Sequence, residues 1–214
     1  MSGIHVSATP RPGRKRKVPD YLVKEMIDGV PFYYPGYRQV LSKKKTLEDI
    51  MGYSGLQAFI IEYFTYHVLN RLDLKKYRIF SGETGNHLGY RNNLSLDISI
   101  FERRILTPEK VTNKYVDVPA YCVIEVDLQA EWEDGDMRDV EFIGLKTNKL
   151  FEFGTQKLIW VLSKSKKVIV AEPGKRWEII DWGEDIDLIE GLTFNVGRHL
   201  QEEGINPDAL PTKS

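Results

Sequence analysis

The chain has 214 residues, a formal net charge of −1, 42% hydrophobic and 29% charged residues, which suits one globular domain and excludes disorder throughout. A net charge so close to zero argues against general, high-affinity nucleic-acid binding but leaves room for a local basic surface. The one cysteine, Cys122, has no partner for an internal disulfide, and no apolar run approaches the roughly 18 residues of a membrane span; a cytoplasmic protein with no membrane partner is the default expectation.

Residues 1–17 end in "RPGRKRK", a basic stretch with little to bury, and read as a disordered arm. Residues 18–203 then read as one domain. "MIDGVPFYY" places a hairpin turn at Asp28-Gly29. "TLEDIMGYSGLQAFIIEYFTYHVLNRLD" carries Leu56, Phe59, Ile60, Tyr63, Phe64, His67 and Val68 at helical spacing. Strands follow in "YRIFSGE" and "LSLDISIF", with a turn expected within "TGNHLGYRNN". "TPEKVTNKYVDV" reads as a loop or short helix, and "PAYCVIEVDL" as a buried strand. An acidic stretch opening with "EWEDGD" leads into a helix that ends near Gly154. "KLIWVLSKSKKVIVAEPGKRWEIIDW" holds two or three strands, and "IDLIEGLTFNVGRHLQEEG" a last short strand and a C-terminal helix. Residues 204–214 read as a frayed tail. This order gives an α/β domain, a mixed β-sheet flanked by helices. No glycine-rich phosphate loop follows a strand, which argues against a Walker or Rossmann site.

Two apolar strands are interrupted by acids: Asp97 in "LSLDISIF", and Glu125 and Asp127 in "YCVIEVDLQ". Side chains alternate along a strand, so Glu125 and Asp127 are expected on one face with Val126 on the other. A buried carboxylate is costly alone, and a shared magnesium ion would offset that cost. Asp97 and Glu125 are therefore candidate ligands, together with the Val126 backbone carbonyl. Asp127 is a candidate for a second metal, and Glu62 on the early helix for closing the site. His67 reads as a core histidine; His87, Tyr90 and Arg91 read equally well as a plain turn or as a loop where Arg91 meets phosphate.

An Asp on one strand followed by an E-x-x strand resembles the PD-(D/E)XK nuclease superfamily. The wider pattern resembles the Uma family, grouped there with restriction endonucleases: an early "DG" hairpin, an amphipathic helix, "LSLDISIF", "YCVIEVDLQ", a lysine-bearing helix "LKTNKLFEFG", the strand "LIWVL" and the segment "EGLTFNV". The resemblance implies a restriction-endonuclease-like fold, a Mg2+-dependent DNA endonuclease with Mn2+ as substitute, and a homodimer. Asp127 stands where the superfamily usually has lysine, and Leu96 where a proline precedes the metal Asp. The resemblance implies a lysine supplied by the following helix: Lys149, four residues before Phe153, with Lys146 as the alternative. The competing class is a catalytically degenerate nuclease-fold module that binds DNA or protein. Approach of either lysine to Asp97 and Glu125 discriminates the two.

Overall fold

The computed structural model describes residues 18–127 and 139–209. Among these residues ten strands follow in chain order: β1 (Val23–Ile27), β2 (Val30–Tyr33), β3 (Tyr77–Gly89), β4 (Asn92–Glu102), β5 (Cys122–Val126), β6 (Lys157–Leu162), β7 (Lys167–Ala171), β8 (Glu178–Asp181), β9 (Ile186–Ile189) and β10 (Leu192–Phe194). Four α-helices accompany them: α1 (Tyr37–Leu41), α2 (Gly55–Arg71), α3 (Asp139–Phe153) and α4 (Val196–Glu202). An eight-stranded sheet runs β2-β1-β4-β5-β6-β7-β8, with β3 also paired to β4; β9 and β10 form a separate hairpin. Among these pairs β5 and β6 run parallel, as the intervening α3 crossover requires, and the others are antiparallel. The sheet is thus mixed and flanked by helices, as the sequence order implies.

Strand alternation divides the core. Cys122, Ile124 and Val126 of β5 join Ile60, Phe64 and Val68 of α2, with Phe194 and Leu200 beyond. Val123 of β5 joins Phe142, Ile143 and Leu150 of α3, with Trp160 of β6. Glu125 has the parity of Val123 and so faces α3. Ser54 caps α2 by accepting the Gln57 N–H at 3.2 Å. The α3 helix ends at Gly154, which adopts φ 122° while its N–H reaches the Leu150 carbonyl at 3.1 Å.

Several local expectations change. The early helix begins at Gly55, after a separate short α1. The segment expected to turn from Thr84 to Asn93 is mostly strand: β3 continues to Gly89 and the chain reverses at Tyr90-Arg91. Cross-strand pairing with β4 overrides the loop-like composition of that segment. The last expected single strand is a hairpin, β9–β10. The Asp28-Gly29 turn stands as expected, with φ 49° and 78°, values that match a tight hairpin loop. The N-terminal arm and the "EWEDGD" loop lie outside the described residues.

Phe64 is fully buried and meets Phe194 edge-on at 4.8 Å, tying α2 to the β9–β10 hairpin. Phe64→Ala should destabilise the domain by about 3–5 kcal/mol. Urea unfolding checks this; a loss below about 1 kcal/mol would show that the helix is not anchored there.

Candidate active site

Four charged side chains from four elements meet on the α3 side of the sheet: Glu25 of β1, Asp97 of β4, Glu125 of β5 and Lys146 of α3. Each is at most 3% exposed. The Lys146 ammonium donates to Glu25 Oε1 at 2.7 Å, to Glu125 Oε2 at 2.9 Å and to the Ser95 carbonyl at 2.9 Å. Its three N–H bonds are thereby all used. Trp160, level with Glu125 in the parallel register, places its ring 5.7 Å from the ammonium. The Trp160 indole N–H donates to Thr147 at 3.1 Å and fixes α3 over the sheet.

Asp97 adjoins Glu125 because β4 and β5 pair antiparallel through Ile98, the residue after Asp97, and Ile124, the residue before Glu125. Its carboxylate accepts the Val126 N–H at 2.8 Å and the Tyr53 hydroxyl at 3.0 Å. The Gln57 side chain donates to the Val126 carbonyl at 2.8 Å. Both backbone polar groups of Val126 are thus held by side chains.

Burial raises the Asp97 carboxyl above its ordinary value, although the Val126 N–H and Lys146 pull the other way. Burial also raises Glu125; Lys146 opposes this, and the like charges of Asp97 and Glu25 add to it. For Lys146 burial favours the neutral form, but Glu125 and Glu25 outweigh it and hold the ammonium protonated. Glu25, Asp97 and Glu125 share the Lys146 ammonium, Lys24 also acts on Asp97, and the crowding of acids shows in the raised Glu125 carboxyl. Two of its oxygens, Glu25 Oε2 and Glu125 Oε1, are buried without a hydrogen-bond partner. Among the described residues no group of three or more His, Cys, Asp and Glu side chains is arranged to hold a metal ion. Magnesium needs fewer protein ligands than that, since one or two carboxylates with waters suffice. The unpartnered Glu125 oxygen beside Asp97 fits such an ion.

The expected residues separate into those the fold brings together and those it does not. Asp97 and Glu125 adjoin, and the helix lysine that reaches them is Lys146. Lys149 instead pairs with Asp28 at 2.9 Å and Glu152 at 2.7 Å. The buried face of α3 is Phe142, Ile143, Lys146, Thr147 and Leu150, which leaves Lys149 on the flank. The expected register is therefore off by one helical turn. Asp127 does not share a face with Glu125. The strand ends at Val126, Asp127 turns to φ 60°, and its carboxylate accepts the backbone N–H and hydroxyl of Ser163, each at 2.7 Å. Glu62 is exposed on the outer side of α2. The Val126 carbonyl lies at the site but is engaged by Gln57. His67 is half-buried, with Nε2 2.7 Å from the Thr193 carbonyl.

Glu25, Gln57 and Tyr53 were not among the expected site residues. Two carried a signal. Glu25 stands two residues before the buried Ile27 on β1, an acid in a short apolar strand as Asp97 is in β4. Gln57 lies on the apolar stripe of α2 with Ile60, Ile61 and Phe64.

Removing the ammonium should expose the cost of the acids. Lys146→Met should destabilise the domain by about 3–5 kcal/mol, because buried carboxylates lose their counter-charge. Lys149→Ala, which breaks surface pairs, should cost no more than about 1 kcal/mol; equal losses in denaturant unfolding would contradict the assignment. Because Glu125 has a raised folded-state pKa, the folded protein holds its proton more tightly than the unfolded chain does. Stability should therefore fall as pH rises above the ordinary glutamate value of 4.5 towards the folded-state value. Glu125→Gln should flatten that decline in a melting-temperature series; an unchanged slope would place the titration elsewhere.

No protein-family model and no curated protein matches the chain. Among solved structures it is similar to a "putative nuclease belonging to DUF820 from Anabaena variabilis ATCC 29413", with a TM-score of 0.58 and 15% identity, covering 81% of this chain and 87% of that one. At this identity the likeness shows the fold: the chain has the mixed α/β architecture of that protein.

Proposed function

We propose that the protein is a metal-dependent endonuclease that hydrolyses phosphodiester bonds in DNA, in the manner of restriction endonucleases. The observation that carries this reading is the approach of Lys146 to Glu125, beside Asp97, on a fold shared with a protein described as a "putative nuclease". Asp97 and Glu125 would hold Mg2+, or Mn2+ in its place. When bound, such an ion activates a water and relieves charge on the phosphate. Lys146 presents a fixed ammonium next to the carboxylates, where it can steady the charge that develops on the phosphate oxygens. Gln57 and Asp97 fix the peptide at the end of β5, so that Glu125 keeps its place. Tyr53, whose hydroxyl is kept protonated by burial and by Asp97, orients the Asp97 carboxylate. The proposal includes a homodimer, as the resemblance to restriction endonucleases implies, which light scattering would check.

A second reading has its own support. The Gln57 contact on the Val126 carbonyl and the saturation of Lys146 suit a nuclease fold kept for binding alone.

Purified protein with plasmid DNA, Mg2+ or Mn2+, and a chelator control tests both. Asp97→Asn, Glu125→Gln and Lys146→Met, each confirmed folded by circular dichroism, should cut at least about a hundredfold more slowly. Lys149→Ala should cut at the wild-type rate. Cleavage that survives the chelator would remove the metal from the proposal; binding without cleavage would favour the second reading.

A further inference from the structure

Two surface clefts meet at Tyr115. One, about 420 Å3, is lined by Glu25 and Ser95, the residues that hold Lys146, and by Tyr34 and Tyr115. The other, about 630 Å3, runs past His87, Lys110 and Lys114. Asn93 and Tyr115 line both. The two clefts thus adjoin at Asn93 and Tyr115, and one of them reaches Glu25 of the charged cluster.

The ring is built into place although it is 59% exposed. The Val116 N–H donates to the Gly85 carbonyl at 3.0 Å, and the His87 N–H to the Val116 carbonyl at 2.8 Å. These bonds lace the loop before β5 onto β3, with Asn86 and Val116 as a parallel bridge. Tyr115 is thereby laid directly on Gly85, where a Cβ would come within 2.8 Å of two ring carbons. Glycine is needed at this position for close approach. An aromatic ring with one face packed on backbone and much of its surface open loses little entropy when a planar ligand covers it.

Neither cleft is basic, and the one that Glu25 lines sets Asp20, Glu25 and Glu83 against Lys24. Lys110 and Lys114 share their cleft with Glu109 and Asp117, and Lys24 pairs with Glu83 at 2.6 Å. Phosphate attraction alone is therefore a weak basis for recognition here, and an aromatic face is a better one. Base faces are covered within a stacked duplex and open in an unpaired strand.

Resting on the nuclease reading, we infer that Tyr115 is a stacking platform for an unpaired base of the substrate strand, in the cleft that Glu25 and Ser95 line beside Lys146. The substrate class is then single-stranded or locally unpaired DNA.

Fluorescence anisotropy with a labelled single-stranded oligonucleotide and its blunt duplex, in chelator so that nothing is cut, tests this. The full chain should bind the single strand more tightly, with a shallow dependence on salt. Tyr115→Ala, with an unchanged melting temperature, should weaken single-strand binding about tenfold and leave duplex binding unchanged. Tyr115→Trp should restore it, and Gly85→Ala, which lifts the ring, should mimic the loss. Equal single-strand affinity for wild type and Tyr115→Ala, or a wild-type preference for duplex, overturns the platform while leaving the nuclease reading standing. Failure of the wild type to bind either DNA, together with uncut plasmid in the metal assay, overturns both.

Discussion

The Lys146 ammonium, buried between Glu25 and Glu125, is the interaction on which the site depends. Taking an ion from water into a protein interior costs several kcal/mol, and only good geometry with full hydrogen bonding offsets it. Lys146 meets that condition, with three acceptors for three N–H bonds. Its carboxylate partners do not, since each of the two glutamates keeps one buried oxygen without a partner. A fold selected for stability alone would place apolar side chains here. Those unpartnered oxygens are a cost in folding, and in the proposed function the one on Glu125 is where a cation would be met.

The same interaction joins the peripheral parts of the fold to its centre. Glu25 is supplied by the β1–β2 hairpin, which contacts the rest of the sheet through β4. The Ser95 carbonyl comes from β4 beyond its pairing with β5. Lys146 draws both towards Glu125 and sets α3 on the sheet, where Trp160 and Thr147 hold it. On the opposite face, Gln57 reaches the end of β5 from α2. Each helix thus places one polar side chain at the same strand end, and the two cores on either side keep those helices in place.

Much of this was legible in the chain. Asp97 and Glu125 stood out because a carboxylate within an apolar strand demands a reason, and that signal survives any error in element boundaries. Glu25 and Gln57 carried the same kind of signal but more faintly. A single acid in a five-residue strand or a glutamine on a helix stripe is common on surfaces. The choice between Lys146 and Lys149 failed for a different reason. Residues three apart on a helix lie close to one face, so small rotations decide which one is buried. The burial of Phe142, Ile143, Thr147 and Leu150 fixed that rotation, and with it Lys146.

The sequence by itself determined the class of fold, the two interrupted strands and the tight Asp28-Gly29 hairpin. These follow from local periodicity, from the cost of burying charge and from the conformations that turn residues tolerate. Only the tertiary structure decided what the acids meet. Strand alternation placed Asp127 with Glu125, but the chain leaves the sheet at Val126 and takes Asp127 to Ser163. Composition made the segment before Asn93 look like a loop, yet pairing with β4 drew it into a strand and brought Gly85 under Tyr115. Long-range pairing and helix rotation are set by the packing of the whole domain, and no short stretch of sequence contains them.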